Sequence, residues 1–291
     1  MKKIFYMIIF SSLLFANSSQ HLEITSGDIG GCAYSQNGDL LAVFDNQNLL
    51  KIINLNTQDE VGIIKGKRLT SASFDKDSLY VGTNDGEILK FNQNGTHDKS
   101  VFDASSFGLD TSIFYLKFKN NKLYAFVGKN TFISYDVATD KLHTIKLDKI
   151  YRVSSCIILD DRAIVTGWDR SVYEINLTNL QAKELFRTKS VVLSSQELLG
   201  DVVFGLANGE ILTLKDGSYI KISDFGVKSL ALIDDEIYMG LKNGEIYKSD
   251  LKFKDIKIYG ANPDTVVKIF GHNKSIVVVM LNGKVKFNNK S

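Results

Sequence analysis

Short stretches in which apolar and polar residues alternate recur along most of this chain, and polar turns separate them. One copy begins with Leu69–Phe74, continues with Leu79–Gly82 and ends with Ile88–Phe91. Alternation with a period of two predicts β-strands that bury one face. Asn-Gly or Asp-Gly stands at several of the turns, and these dipeptides favour tight hairpins because both central residues take positive φ. The pattern therefore predicts an all-β protein built from antiparallel hairpins.

The three-strand pattern occurs seven times, and the last copy is the most degenerate. The residues that precede the third strand are separated by 38, 45, 40, 38, 35 and 39 residues; they are Asn48, Gly86, Thr131, Ser171, Gly209, Gly244 and Gly283. A repeat of about 40 residues with three strands and a weaker fourth matches one blade of a β-propeller. We therefore predict a seven-bladed β-propeller. A parallel β-helix, the alternative, would need shorter and more uniform turns of about 20 residues.

The two ends of the chain complement each other in this prediction. The seventh copy ends after its third strand, Lys284–Phe287, whereas a strand-like segment, His21–Thr25, precedes the first copy. If the N-terminal segment is the outer strand of the last blade, it covers two sheet edges that would otherwise invite aggregation. We therefore predict that His21–Thr25 pairs with Lys284–Phe287 and closes the ring.

The first residues are typical of a secretory signal peptide. Lys2 and Lys3 precede an apolar run, Ile4–Phe15, and Ala16 offers a small residue for cleavage. The run has about a dozen residues, fewer than the roughly 20 that span a bilayer as a helix. An uncleaved N-terminal anchor is the alternative. We predict a signal peptide at residues 1–16, a propeller domain at 17–291, and a soluble periplasmic protein that does not insert into a membrane after cleavage.

The net charge gives no reason to expect a nucleic-acid or membrane-surface partner. The chain has 35 Lys and Arg residues against 33 Asp and Glu residues. Removal of Lys2 and Lys3 with the signal peptide makes the mature chain formally neutral. Nucleic-acid-binding domains instead carry a marked excess of basic residues. We therefore expect no nucleic-acid partner, and we expect a monomer.

The two cysteines, Cys32 and Cys156, fall at the same position of the inner strand in two different blades. An exported protein can form disulfides. However, equivalent positions in distant blades are farther apart than the Cα separation that a disulfide allows. We predict two reduced, buried thiols that pack as small apolar side chains, and an intramolecular disulfide is the alternative.

The sequence contains no motif for catalysis, metal binding or cofactor binding. His21, His97, His143 and His272 are isolated, without a second ligand at the spacing of a metal site. No G-x-S-x-G, P-loop, C-x-x-C or complete EF-hand loop occurs. We therefore predict a protein that is not an enzyme and has no catalytic, cofactor-binding or metal-binding residues. Ligands contributed by separate blades would escape such a one-dimensional search.

Charged residues are distributed unevenly between two sets of loops. The connections from one blade to the next are basic, and the hairpins between first and second strands are acidic, as at Asp75, Asp77, Asp234 and Asp235. The two sets lie on opposite faces of a propeller, so the pattern predicts a basic face suited to an acidic protein partner. Ordinary polar turns of mixed charge are the alternative. The candidate protein-binding residues are Lys67, Arg68, Arg152, Trp168, Arg170 and Arg187.

Trp168 is the single tryptophan of the chain and, with Asp169 and Arg170, interrupts the Asn-Gly consensus of its turn. It is either an ordinary packing aromatic, because Trp is substantially buried in most proteins, or an interface anchor, because Trp and Arg dominate binding hot spots. Its position on the predicted basic face makes it the best candidate for an anchor.

Segments such as VGTNDGEILKF and MGLKNGEIYKS resemble blades of WD40-like propellers, although the Gly-His and Trp-Asp signatures of that family are absent. With its signal peptide, length and composition, the mature chain is similar to the NapL family of accessory proteins of the periplasmic nitrate reductase of ε-proteobacteria. The resemblance includes no invariant motif, so it assigns no role to any residue. It implies a scaffold without a cofactor that supports the assembly or activity of a periplasmic nitrate reductase.

Two other classes of propeller remain open. An outer-membrane assembly scaffold of the quinoprotein-like type would show repeated Trp and Ala/Gly motifs, whereas this chain has one Trp. A propeller enzyme, such as a lactonase or a dehydrogenase, would need inward acidic metal ligands at its funnel. No such cluster is visible along the sequence.

Overall fold

The computed structural model describes residues 20–289, so the predicted signal peptide lies outside the described residues. Within this range, short strands are joined by tight turns and by one 3₁₀ turn, Ala104–Phe107. No helix in this part of the chain is long and apolar enough to cross a membrane. The strands are β1 Gln20–Glu23, β2 Ile29–Tyr34, β3 Leu40–Asp45, β4 Leu49–Asn54, β5 Glu60–Lys65, β6 Leu69–Phe74, β7 Ser78–Thr83, β8 Glu87–Asn92, β9 His97–Asp103, β10 Ile113–Lys119, β11 Lys122–Val127, β12 Thr131–Asp136, β13 Lys141–Lys146, β14 Val153–Ile158, β15 Arg162–Gly167, β16 Ser171–Asn176, β17 Ala182–Arg187, β18 Val192–Leu198, β19 Asp201–Leu206, β20 Glu210–Thr213, β21 Tyr219–Lys221, β22 Val227–Ile233, β23 Glu236–Leu241, β24 Glu245–Ser249, β25 Lys257–Ala261, β26 Val266–His272, β27 Ser275–Met280 and β28 Lys284–Asn289.

These strands form seven antiparallel sheets of four strands in the described range, and each sheet is one blade of a ring. Blades 1 to 6 are built from consecutive strands: β2–β5, β6–β9, β10–β13, β14–β17, β18–β21 and β22–β25. Blade 7 consists of β26–β28 and β1. The first strand of blades 1 to 6, and β26 in blade 7, is innermost and lines the centre of the ring. The predicted seven-bladed propeller is confirmed.

The N-terminal strand closes the ring as the sequence predicts. β1 pairs with β28 in an antiparallel register that runs from Gln20 opposite Phe287 to Glu23 opposite Lys284. Beyond the strand, the Ile24 amide donates to the Gly283 carbonyl at 2.9 Å. Ile24 is itself buried in the apolar layer between blades 7 and 1. The last blade is therefore completed by residues from the opposite end of the chain.

The apolar core is divided into seven layers, one at each junction between neighbouring blades. Leu79 and Leu50, for example, pack together in the layer between blades 1 and 2, and Phe126 and Ile158 in the layer between blades 3 and 4. The blade faces are apolar because the second strands carry nearly continuous apolar residues, mostly Val, Ile, Leu, Ala and Phe, which are buried on both sides. Each blade therefore depends on its two neighbours to bury its faces.

Serines on the inner strands connect neighbouring blades. Each inner strand has a β-bulge after its first residue, and in four blades the residue that follows the bulge is a serine, namely Ser71, Ser155, Ser194 and Ser229. Ser71 and Ser194 donate to the carbonyl of the first inner-strand residue of the next blade, each at 3.1 Å. Ser229 accepts from the Ile269 amide at 2.9 Å. These hydrogen bonds connect neighbouring inner strands, which belong to different sheets and so share no backbone ladder.

A glycine near the end of the second strand lets the next blade approach closely. A Cβ on Gly205 would lie 2.5 Å from the Val227 carbonyl oxygen, and one on Gly240 would lie 2.4 Å from Val266 Cγ1. Val227 and Val266 are the first residues of the next inner strands. The repeated Gly at this position of the sequence is therefore a requirement of blade packing.

Cys32 and Cys156 occupy equivalent positions, each one residue after the post-bulge position of its inner strand. Both are free thiols, so the predicted absence of a disulfide agrees with the structure. Cys156 is buried as expected. Cys32 is only half-buried, although both thiols line the central channel.

We expect both thiols to react slowly with alkylating reagents in the folded protein. Burial raises the pKa of Cys32 from an ordinary value near 9 to about 11, and burial also raises the pKa of Cys156. The thiolate is the reactive form, so Cys32 should be labelled about 100-fold more slowly at pH 8 than an unperturbed thiol. Labelling with iodoacetamide before and after denaturation, followed by intact mass, measures this. Rapid labelling of the native protein would contradict it.

Candidate docking face

The loops of the ring lie on two opposite faces. The connection face carries the connections between blades and the turns between the second and third strands, and the hairpin face carries the remaining turns. This assignment follows from antiparallel strands that alternate in direction. All six candidate residues of the sequence analysis lie on the connection face or at the strand ends beside it.

Arg152 and Trp168 lie together at the junction of blades 3 and 4. Arg152 ends the connection into blade 4, and Trp168 opens the turn between β15 and β16. The Trp168 amide donates to the Arg152 carbonyl at 2.8 Å, which joins the two loops. The Arg152 guanidinium lies over the Phe114 ring, with 5.3 Å from Cζ to the ring centroid. The three side chains line a cleft of about 130 Å³, together with Phe126, Gly128, Lys129 and Val153.

The turn Gly167–Ser171 holds Trp168 outward. The Arg170 amide donates to the Gly167 carbonyl at 2.9 Å, and Asp169 accepts from the Ser171 hydroxyl at 2.8 Å. Arg170 has a φ of 71°, in the left-handed region that an Asn-Gly turn would fill without strain. Trp168 remains 50% exposed. It is therefore a half-exposed surface aromatic beside a basic residue and not a fully buried core residue.

Arg187 and Arg170 lie next to this cluster, but they differ in their partners. Arg187 lies 3.6 Å from the Asp169 carboxylate and 3.4 Å from the Glu184 carboxylate. Glu184 also accepts from the Tyr173 hydroxyl at 3.1 Å, and burial together with this carboxylate raises the pKa of Tyr173 to about 12. Within residues 20–289, the Arg170 guanidinium makes only a long bond, 3.5 Å, to the Lys189 carbonyl. Arg170 is thus the more available of the two for an outside carboxylate.

Lys67 and Arg68 are placed elsewhere on the same face, at the junction of blades 1 and 2. Lys67 forms an ion pair with Glu87, at the start of the third strand of blade 2. The Arg68 side chain is exposed, and no ion pair joins it to any residue between 20 and 289. The structure therefore groups four of the six candidates around blade 4 and leaves the other two in a separate position.

The basic character of the connection face is confined to part of the ring. Lys129, Lys149 and Lys189 add positive charge around blades 3 to 5, whereas the connections into blades 1, 3, 6 and 7 carry Asp28, Asp110, Asp224 and Asp264. The hairpin face carries the acidic pairs Asp75 and Asp77, Asp160 and Asp161, and Asp234 and Asp235. The charge of the face thus varies by sector, because each connection differs in sequence.

Exposed aromatic side chains accompany the basic sector, and the sequence analysis did not identify them. Phe114 is 40% exposed and Tyr151 is 74% exposed, and both lie at the entrance to inner strands beside Arg152. Phe114 occupies the bulge position of β10, and the other blades have Gly30, Thr70, Ser154, Leu193, Lys228 and Val267 there. An aromatic residue at a position that is not aromatic in any other blade was the available signal. We call Phe114, Tyr151, Arg152, Trp168 and Arg170 the docking patch.

No group of three or more His, Cys, Asp or Glu side chains within residues 20–289 is arranged so that it could hold a metal ion. Asp75 accepts from the amides of Asp77 and Ser78 and therefore acts as a turn residue. Asp160 instead pairs with Lys119 of the neighbouring blade.

Comparison with known proteins identifies the fold and no closer relationship. No family model matches the sequence, and no curated protein matches it. Among solved structures, the chain is similar to U3-55K, with a TM-score of 0.78 and 10% identity over 94% of this chain and 99% of that one. It is also similar to the computationally designed Ika8 protein, with a TM-score of 0.69 and 14% identity over 92% of this chain and 98% of that one. At such identities the likeness concerns the propeller fold alone.

Proposed function

We propose that this protein is a non-catalytic scaffold that binds an acidic surface of a partner protein through the docking patch. The observation that supports this most is the half-exposed Trp168 beside Arg152, in a cleft that Phe114 also lines. Trp, Tyr and Arg are the residues most enriched at binding hot spots. Exposure of aromatic side chains to water is unfavourable. Aromatic side chains surrounded by basic residues therefore suit a partner that offers carboxylates and an apolar side chain.

The chemistry of the patch supports an acidic partner. Arg152 is held by its contact with Phe114, and Arg170 has no carboxylate partner between residues 20 and 289. A planar guanidinium pairs bidentately with carboxylates. Exposed ion pairs each contribute less than about 1 kcal/mol, so the arginines would chiefly steer the encounter and set the orientation. Affinity would come from burial of Trp168 and Tyr151.

For the identity of the partner, we propose a component of a periplasmic nitrate reductase. This part of the proposal rests on the export signal predicted at residues 1–16 and on the resemblance to the accessory proteins of that system. Location in the periplasm is part of the same proposal. The docking patch itself does not depend on which acidic protein occupies it.

The test begins with capture of the partner. The mature protein with a C-terminal tag would be cross-linked in its native periplasm, and the cross-linked protein identified by mass spectrometry and then purified. Equilibrium binding to the purified partner is measured at 50 and 300 mM salt. We expect Trp168→Ala to weaken binding by about 30-fold or more at both salt concentrations, the loss of about 2 kcal/mol typical of a hot spot.

Matched variants separate the patch from the rest of the surface. Arg152→Glu and Arg170→Glu should weaken binding more at low salt than at high salt, because screening removes steering. Arg68→Glu reverses an exposed charge two blades away, and Leu199→Ala removes an exposed apolar side chain from the hairpin face; both should bind as the wild type does. Equal binding by every variant would overturn the docking patch. A partner unrelated to nitrate reductase that is lost with Trp168→Ala would retain the patch and overturn only the identity.

A further inference from the structure

A channel of about 690 Å³ runs through the centre of the ring. It is lined by the inner strands of blades 1 to 5, from Gly30 and Thr70 near the connection face to Ser35 and Glu197 near the hairpin face, and by Lys268 of blade 7. Small and hydroxyl-bearing residues, among them Gly31, Ser71 and Ser195, line it together with Phe, Leu, Ile, Gln and Lys side chains. The channel is therefore a polar, water-accessible cavity inside the molecule.

Lys268 departs from the repeat in this channel. It occupies the post-bulge position of β26, where four other inner strands have a serine that bonds to the next blade. Blade 7 thereby loses that connection and gains an ammonium group. A residue that breaks a local rule without a structural gain is the kind that functional sites retain.

The Lys268 ammonium has no anionic partner within residues 20–289. It is half-buried beside Cys32, and no hydrogen bond or ion pair to another described residue involves it. Burial lowers its pKa, an effect that Cys32 partly opposes. A half-buried charge without a partner is less favourable than one that is paired. The position can therefore accept a counter-charge.

Lys117 adds a second positive charge to the same cavity. It lies mid-strand in β10 with its side chain exposed to the channel, and desolvation by the surrounding protein, followed by repulsion from Lys119 and Lys268, lowers its pKa. Lys119 is already occupied, because its Nζ lies 2.8 Å from the Asp160 carboxylate. Lys117 has no such carboxylate in the described part of the chain. Lys117 and Lys268 thus share one channel, and neither forms an ion pair with a carboxylate within residues 20–289.

We propose that the channel binds a small oxyanion, such as sulfate or phosphate, between Lys117 and Lys268. Such an anion supplies a counter-charge, and its several oxygens can accept from ammonium groups that line the same channel. Gln196 lines the same cavity and carries an amide that can donate a further bond. This site lies inside the ring, and its two lysines are not part of the docking patch, although Phe114 lines both the cleft and the channel.

The other titratable groups of the channel define the expected pH dependence. They are Cys32, Tyr34, Tyr115, Lys119, Cys156 and Glu197. Burial raises the pKa values of both thiols and both tyrosines, so these groups stay neutral near pH 7. Because the anion binds the charged lysines and the pKa values of Lys117 and Lys268 are lowered, affinity should fall on the alkaline side, earlier than it would for ordinary lysines.

The test is a titration of the isolated mature protein with sulfate and, separately, with phosphate, against chloride at equal ionic strength. Calorimetry and thermal unfolding are the readouts. We expect saturable binding, and a rise in Tm of roughly 5 °C at an anion concentration 100-fold above the Kd. Lys268→Met and Lys117→Met should each weaken binding at least 10-fold. In buffer without oxyanions, Lys268→Met should unfold at or above the wild-type temperature, which shows that the variant folds.

Lys228→Met is the matched control, because Lys228 also lies on an inner strand with a pKa lowered by burial but does not line the channel. It should bind the anion as the wild type does. Absence of saturable binding, or equal loss in all three variants, would overturn the proposal. If the isolated protein binds no anion but Lys268→Met weakens capture of the partner protein, an acidic segment of that partner fills the channel and the oxyanion proposal is wrong.

Discussion

A mature chain that begins at Thr25, and therefore lacks β1 and Ile24, should unfold at a temperature at least about 8 °C below that of the full mature protein. The deletion removes the ladder with β28 and the buried side chain of Ile24. Burial of each such apolar side chain stabilises by about 1.5–3 kcal/mol, and about 1 kcal/mol corresponds to 2–4 °C in a domain of this size. The shortened chain also exposes the edge of β28, so aggregation on heating should increase.

Single substitutions in the N-terminal segment test the same prediction with smaller changes. Ile24→Ala should lower the free energy of unfolding by about 2–4 kcal/mol, the cost of a large-to-small change in a core. Glu23→Ala, an exposed neighbour in the same strand, should change it by less than about 0.5 kcal/mol. Urea unfolding followed by tryptophan fluorescence and circular dichroism measures both. If the shortened chain has the same midpoint as the full chain, closure by β1 does not support the ring.

Substitution of the glycines that contact the next blade should also lower the stability strongly. We expect Gly205→Val to lower the free energy of unfolding by at least about 3 kcal/mol, at the upper end of the cost of overpacking. The first added carbon would lie 2.4 Å from Ser194 Oγ, 2.5 Å from the Val227 carbonyl oxygen and 2.8 Å from Val227 Cγ1. Backbone atoms cannot move aside as a flexible side chain can, so the whole junction between blades 5 and 6 must separate.

Gly260→Val is the matched control for this substitution. Gly260 lies in β25, the outer strand of blade 6, and a Cβ there would meet no atom within 4 Å. The same side chain should therefore leave stability unchanged or raise it slightly, because a β-branched residue suits a strand. Chemical denaturation of the two variants beside the wild type decides the matter. Equal effects at Gly205 and Gly260 would show that close blade contact is not the reason for the repeated glycine.

The difference between the two glycines shows what a repeat pattern can predict. Gly205 recurs at an equivalent position in other blades, at Gly82 and Gly240, and so is visible as part of a motif. The sequence does not show why glycine is required at this position, because the atoms that a larger side chain would contact belong to another blade. Only the structure shows that Val227 and Val266 approach these glycines.

The candidate docking residues show the same division. Their position on one face followed from loop order alone, since alternate turns of an up-and-down blade lie on opposite faces. Which of them meet could not be predicted, because the connections around the ring differ in length and sequence. Arg152 and Trp168 are joined by a backbone bond between two loops. Lys67 lies two blades away from them and forms an ion pair with Glu87 of blade 2. Phe114 was missed because a single aromatic residue at a bulge cannot be distinguished from core packing along the sequence.

The sequence by itself determined the strands, the turns, the number of blades and the closing of the ring by the N-terminal segment. These depend on hairpins between neighbours in the chain, and the period of two and the Asn-Gly turns specify such pairings locally. Only the tertiary structure decided how residues of different blades are placed relative to one another. It determined the serine hydrogen bonds between inner strands, the exposure of Trp168, and the position of Lys117 and Lys268 in one channel. Those contacts join residues from separate repeats, and their geometry depends on how seven sheets pack around a common axis.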